Sequence, residues 1–119
     1  MIEEKVSNTW SQAEELFQSA ETEFARPEED VVPYMVCRNA YKAVDKFLTG
    51  YLLKHGIEIH NNMTLEVLLD LCRDIDPKFK DLNLDPLMVS NQTGDLWMNL
   101  DTVKDFITLA GKTRSMVGH

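Results

Sequence analysis

Arg114 and His119 stand five positions apart in the stretch TRSMVGH. Those two residue types can do phosphodiester chemistry together. A guanidinium holds and neutralises a phosphate, and an imidazole that titrates near neutrality moves a proton. The competing account of the same stretch is a polar helix tail, which is favoured because His119 follows Gly118 at the end of the sequence and a catalytic imidazole needs a fixed orientation. A second group, Arg38, Lys42 and Lys46, repeats every four residues and forms a basic ridge along one helix face. Such a ridge suits a phosphate or a nucleotide. Its simpler role, and the favoured one, is to face Glu14 and Glu21 of an acidic first helix and form surface ion pairs of small net value.

The remaining polar residues point to structure. His55 and His60 flank a helix stop without helical alignment, so the first is read as a partner of the helix dipole and the second as a loop hydrogen-bonder. Asp74, Asp76, Asp81 and Asp85 are spaced somewhat like a calcium loop, but Phe79 occupies the place that needs Gly and Pro77 breaks the turn. Cys37 and Cys72 lie within apolar helical patterns and lack CxxC spacing, which makes them reduced core residues. No metal and no cofactor are expected. The net charge of −8 is uneven: residues 1–30 hold nine acidic and two basic side chains, net −7, and residues 31–119 hold eleven and ten, net −1. An acidic chain repels nucleic acid at long range, which argues against an autonomous RNA or DNA binder unless a local basic patch intervenes.

Helices must position these groups. Val6, Trp10, Ala13, Phe17, Ala20 and Phe24 alternate steps of four and three, predicting a first helix that Pro27 and the acidic run 28–30 end. Pro33 suits an early position of a second helix, Tyr34 to His55. Its stripe Cys37, Tyr41, Val44, Leu48, Tyr51 and Leu52 is widened by Ala40, Phe47 and Leu53, as expected of a central helix, and Gly56 is placed to stop it. Thr64 can cap a third helix with Met63 and Leu68 as a hydrophobic staple, its buried face being Leu65, Leu68, Leu69, Cys72 and Ile75. Asp76-Pro77 and Asp85-Pro86 each read as a cap followed by a first helical residue, giving short turns near 77–82 and 86–90.

After a break at 91–94, Asp95 is placed to cap a last helix with Leu96, Leu100, Val103, Ile107 and Ala110 inside. Trp97, Met98 and Phe106, if exposed, would mark a face for a partner or a second copy. No segment alternates with the period of a strand. The fold class is therefore all-α, an up-and-down antiparallel four-helix bundle with one or two extra short turns, forming one domain over 1–119. The absence of an apolar run of about 18 residues and an acidic first stretch predict a soluble, cytoplasmic protein without membrane contact.

Residues 34–79 resemble the HEPN family of small prokaryotic helical bundles. The resemblance is carried by Ala40, Ala43, Asp45-Lys46, Leu48, Leu52-Leu53 and Gly56, then His60, then the Leu-rich helix ending in Asp76-Pro77-Lys78-Phe79. The family's usual Glu-Lys pair is Asp45-Lys46 here, and SNQTGD stands where many members carry an Arg-Tyr-Pro element. The resemblance implies a homodimer and a non-catalytic interaction or nucleotide-binding module, associated with a small nucleotidyltransferase. Its alternative is a metal-independent RNase, the toxin of a toxin–antitoxin pair, which would use Arg114 and His119 across the dimer with RNA as substrate and an antitoxin as partner.

Overall fold

The computed structural model describes residues 2–60, 63–85, 87 and 100–118. The described residues form α1 (Ile2–Phe24), α2 (Pro33–Lys54), α3 (Leu65–Ile75) and α4 (Leu100–Met116), with 3-10 turns at Glu28–Asp30 and Pro77–Asp81. Among the described residues there is no strand. The expected all-α class holds at that level.

α2 is the element against which the rest is built, packing on α1, α3 and α4. Pro33 supplies its first turn, where a missing N–H costs nothing. Its end is a Schellman motif: the Ile57 N–H donates to the Leu52 carbonyl at 2.9 Å and the Gly56 N–H to that of Leu53 at 3.0 Å. Gly56 has φ +79°, a left-handed conformation that a side chain would strain. Between these ends, Val36, Cys37, Ala40, Ala43, Val44, Phe47, Leu48 and Leu52 are wholly buried.

α1 lies against α2 in the opposite sense, with Trp10 near the end of α2 and Glu23 near its start. The Trp10 indole donates to the Phe47 carbonyl at 3.3 Å, and the Glu23 carboxylate accepts from the Val32 N–H at 3.0 Å. Along the α1 stripe the small residues Ala13 and Ala20 are wholly buried, while Trp10, Phe17 and Phe24 pack half-buried at its borders. Close approach of the two backbones follows from that choice of small residues. At Gly50 the Trp10 indole fills the space a side chain would need, since a Cβ there would lie 2.4 Å from the indole nitrogen.

The caps form as their residue types dictate. Thr64 accepts from the Val67 N–H at 3.2 Å to start α3, and Asp76 accepts from that of Lys78 at 3.0 Å to start the second 3-10 turn. Arg73 then clamps that turn through the carbonyls of Phe79 at 3.2 Å and Leu82 at 2.8 Å, and Lys112 of α4 reaches the Asp81 carbonyl at 2.7 Å. These cations bind carbonyls at the end of the short turn, where that of Phe79 also accepts from the Leu82 N–H at 3.1 Å. The irregular stretch that follows carries core residues not expected there. Leu82, Leu84 and Leu87 are wholly buried alongside Phe79.

The buried face of α4 is wider than the expected stripe. Val103, Phe106, Ala110 and Val117 are buried, with Thr113 among them, and Ile107 is only half-buried. Phe106 is wholly buried, so the condition on which it would mark a face for a partner is not met. The Thr113 hydroxyl donates to the Leu109 carbonyl at 2.8 Å, so this buried polar group is satisfied. The proposed cap Asp95, Leu96, Trp97 and Met98 lie outside the described residues, as does most of the short turn expected at 86–90. The radius of gyration, 14.0 Å, matches the roughly 13.5 Å of a compact chain of this length.

Candidate functional site

A cleft of about 300 Å³ opens on the outer side of α2 near its C-terminal end. α1 contributes Lys5 and Thr9, one turn apart, to one wall. α2 contributes Asp45, Lys46, Thr49 and Leu53. The connection into α3 closes the other side with Ile59, His60 and Met63, and Leu68 of α3 completes it. Met63 and Leu68 are the two residues expected to staple the start of α3, and both line the cleft.

The chemistry is mixed in a way that suits a small ligand. Two ammonium groups, an imidazole and two hydroxyls surround a floor that includes the buried Leu53 and Leu68. Convergent polar groups over an apolar floor are the usual make-up of a ligand pocket. The two lysines come from different helices, so neither helix alone defines the site. Asp45 is the exception in charge. It accepts a hydrogen bond from the Thr49 hydroxyl at 3.3 Å. Burial pushes its carboxyl above the ordinary carboxylate range, and that effect exceeds the opposing pull of the Thr49 hydroxyl and the Lys46 ammonium.

The basic ridge is divided by this arrangement. Lys46 lines the cleft, while Arg38 and Lys42 lie exposed further along α2, Arg38 roughly 12 Å from Lys46 by helix rise. The expected ion pairs with α1 do not form. Glu14 is engaged instead by Arg114, whose Nε donates to Glu14 Oε1, and among the described residues Arg38 and Lys42 make no ion pair.

Arg114 belongs to the last turn of α4, not to a loose tail. Besides Glu14 it contacts the ring of Phe17, with 6.0 Å from the guanidinium carbon to the ring centroid. Glu14 is nine residues beyond Lys5, about half a turn round α1, so this pair and the cleft occupy different faces of that helix. His119 lies outside the described residues. Arg114 is therefore not brought to Arg38, Lys42 or Lys46.

His55 stands at the C-cap of α2 with its ring 4.5 Å from that of Tyr51, which in turn meets Phe79 edge-on at 4.8 Å. It takes no part in the cleft. Cys37 and Cys72 are buried free thiols, and burial pushes each up to about 12. A second recess, along α1 at Glu15, Ser19, Thr22 and Glu23, is open to solvent, and its Glu23 carboxylate is already committed to Val32 and Arg26. Lys5, Thr9 and Thr49 were not singled out in the sequence, and Lys46 and His60 were placed in separate roles. Lys5 and Thr9 each precede a member of the α1 stripe, Val6 and Trp10, a position that flanks the interface with α2. That flank was the available signal.

Comparison with protein-family models, with curated proteins and with solved structures returned no match. The described helices include none long and apolar enough to cross a membrane. Fold and site together define an all-helical protein with a mixed-charge cleft beside its central helix.

Proposed function

We propose that this chain is a HEPN-like, up-and-down antiparallel four-helix bundle that serves as a non-catalytic nucleotide-binding and interaction module, and that the cleft beside α2 holds the phosphate of its ligand. It associates as a homodimer and with a small nucleotidyltransferase. One observation carries the proposal: Lys5 and Lys46, from different helices, converge with Thr9, Thr49 and His60 on an apolar-floored recess in a chain of net charge −8. Local positive charge inside a repelling field is selective for small anions over long polyanions, because a polynucleotide also meets the acidic surroundings. Arg38 and Lys42, exposed on the same helix, extend this positive track beyond the cleft.

The RNase alternative has less support. Its phosphate-holding group, Arg114, is occupied by Glu14 and by the Phe17 ring. Cleavage would require that pair to open.

Calorimetric titration with pyrophosphate tests the proposal, using the wild type and the Lys5→Gln and Lys46→Gln variants at two salt concentrations. A hydrogen bond to a charged group is worth about 1.5–3 kcal/mol, so each variant should bind about tenfold more weakly or worse, and wild-type affinity should fall with salt. A well-folded wild type that binds no pyrophosphate at millimolar concentration would refute the phosphate site. RNA cleaved in EDTA by the wild type and not by the Arg114→Ala variant would establish the alternative.

A further inference from the structure

A site for phosphate alone has no use for a carboxylate, yet Asp45 stands in the wall of this cleft next to Lys46. The two side chains are about 100° apart around α2. Gly50, four residues beyond Lys46 and on the same face, packs against Trp10 of α1, so Lys46 stands on the flank shared with Lys5 and Thr9. The same rotation turns Asp45 away from that flank. The cleft therefore has a cationic end and an acceptor end, with Thr49 and Leu53 between them.

Asp45 is an acceptor with capacity to spare. The Thr49 hydroxyl donates only to Oδ1, at a long 3.3 Å, and among the described residues no donor reaches Oδ2. A partly dehydrated carboxylate with an open lone pair binds an N–H donor strongly, since water competes poorly for it. The apolar side chains Leu53, Ile59, Met63 and Leu68 also line the cleft. The volume, about 300 Å³, is at the small end for ligand pockets, which fits a mononucleotide and not a strand.

We propose that the cleft takes a mononucleotide whose base carries an exocyclic amino group, with the phosphate on Lys5, Lys46 and Thr9 and the amino N–H on Asp45. This rests on the phosphate site proposed above. The ring lies against Leu53, Ile59 and Met63, and the acceptor at Asp45 distinguishes a base with an amino group at that position from one with a carbonyl there.

Titration of the wild type with two ligand pairs tests this without any variant: AMP against IMP, and CMP against UMP, with pyrophosphate as the reference. Within each pair the amino group is exchanged for a carbonyl and the neighbouring ring nitrogen gains a hydrogen, so an acceptor stands where the donor to Asp45 stood and the nearest N–H is displaced to the adjacent ring position. The amino member should bind at least about tenfold more tightly, the worth of one hydrogen bond to a charged group. In Asp45→Ala the preference within each pair should vanish while pyrophosphate binds as well as before or better, because a negative charge has been removed. Asp45→Asn, of the same shape, serves if the alanine variant is unstable, and it should reduce the preference without abolishing pyrophosphate binding. Equal affinities within both pairs, with pyrophosphate bound, would overturn the base assignment and leave the phosphate site standing. A preference that survives Asp45→Ala would likewise overturn it. Failure of pyrophosphate itself to bind would remove both.

Discussion

Gly50→Ala couples packing to the cleft in a single methyl group. A Cβ at this position would lie 2.4 Å from the Trp10 Nε1 and 2.5 Å from its Cδ1, about 1 Å inside van der Waals contact. The indole cannot yield freely, because its N–H donates to the Phe47 carbonyl at 3.3 Å and the Lys54 ammonium lies 5.5 Å from its ring centroid. Overpacking costs about 1–3 kcal/mol and loss of the indole hydrogen bond about 1 kcal/mol, while Gly→Ala in a helix returns about 1 kcal/mol. The net expectation is destabilisation by about 1–3 kcal/mol, a fall of roughly 4–12 °C in Tm for a chain of this size. Thermal unfolding followed by circular dichroism measures it. Gly111→Ala is the matched control. Its Cβ would meet Phe17 at an ordinary 3.6 Å, so that variant should gain up to about 1 kcal/mol from helix propensity. Trp10 follows Thr9 and Gly50 follows Thr49, so parting the helices at this point also parts the two walls of the cleft, and Gly50→Ala should weaken pyrophosphate binding several-fold. A Gly50→Ala protein as stable as Gly111→Ala would refute the close approach, and with it the geometry on which the cleft depends.

Arg114→Ala should cost under about 1 kcal/mol, since the arginine side chain is 43% exposed in its pair with Glu14. It should leave pyrophosphate affinity unchanged, and a loss of binding would contradict the separation of this pair from the cleft. Thr64→Ala should destabilise by about 1 kcal/mol in denaturant titration through loss of the α3 cap, with Thr64→Ser recovering most of it; equal midpoints would show the cap to be idle. The thiols of Cys37 and Cys72 are raised from 9.0 to about 12, so native protein at pH 8 should be alkylated at least about a thousandfold more slowly than unfolded protein. Because the folded values lie above the unfolded ones, the associated stability is fully present below pH 9 and is lost as the pH rises toward 12. The denaturation midpoint should therefore fall above pH 9, and a flat midpoint up to pH 11 would argue against the burial of both thiols.

The all-α class, the four described helices and the punctuation of the first three were legible in the sequence because the rules behind them act over a few residues. Thr64 and Asp76 cap the elements they precede, Pro33 opens α2 and Gly56 closes it, since each solves a backbone hydrogen-bonding problem that its own neighbours pose. The α1 stripe is buried as its spacing required. Periodicity did less well for α4, where Val103 and Ala110 were correctly placed inside but the buried Phe106 was left out of the stripe. Neighbouring registers of a weakly patterned helix differ only in which face meets the rest of the protein. Leu82, Leu84 and Leu87 escaped notice because an irregular segment has no period to read, yet its side chains fill the core.

The charged groups were the least legible. Glu14 was matched to a ridge on α2, whereas it holds Arg114, a hundred residues further along the chain. Lys5, Lys46 and His60 belong to three segments, and nothing local to any of them announces the others. Helix type and helix ends are determined by the sequence alone, because their hydrogen bonds close within four or five residues. Which cation meets which carboxylate, and which side chains share a cleft, is decided only when apolar faces pack and set the rotation of each helix against its neighbours.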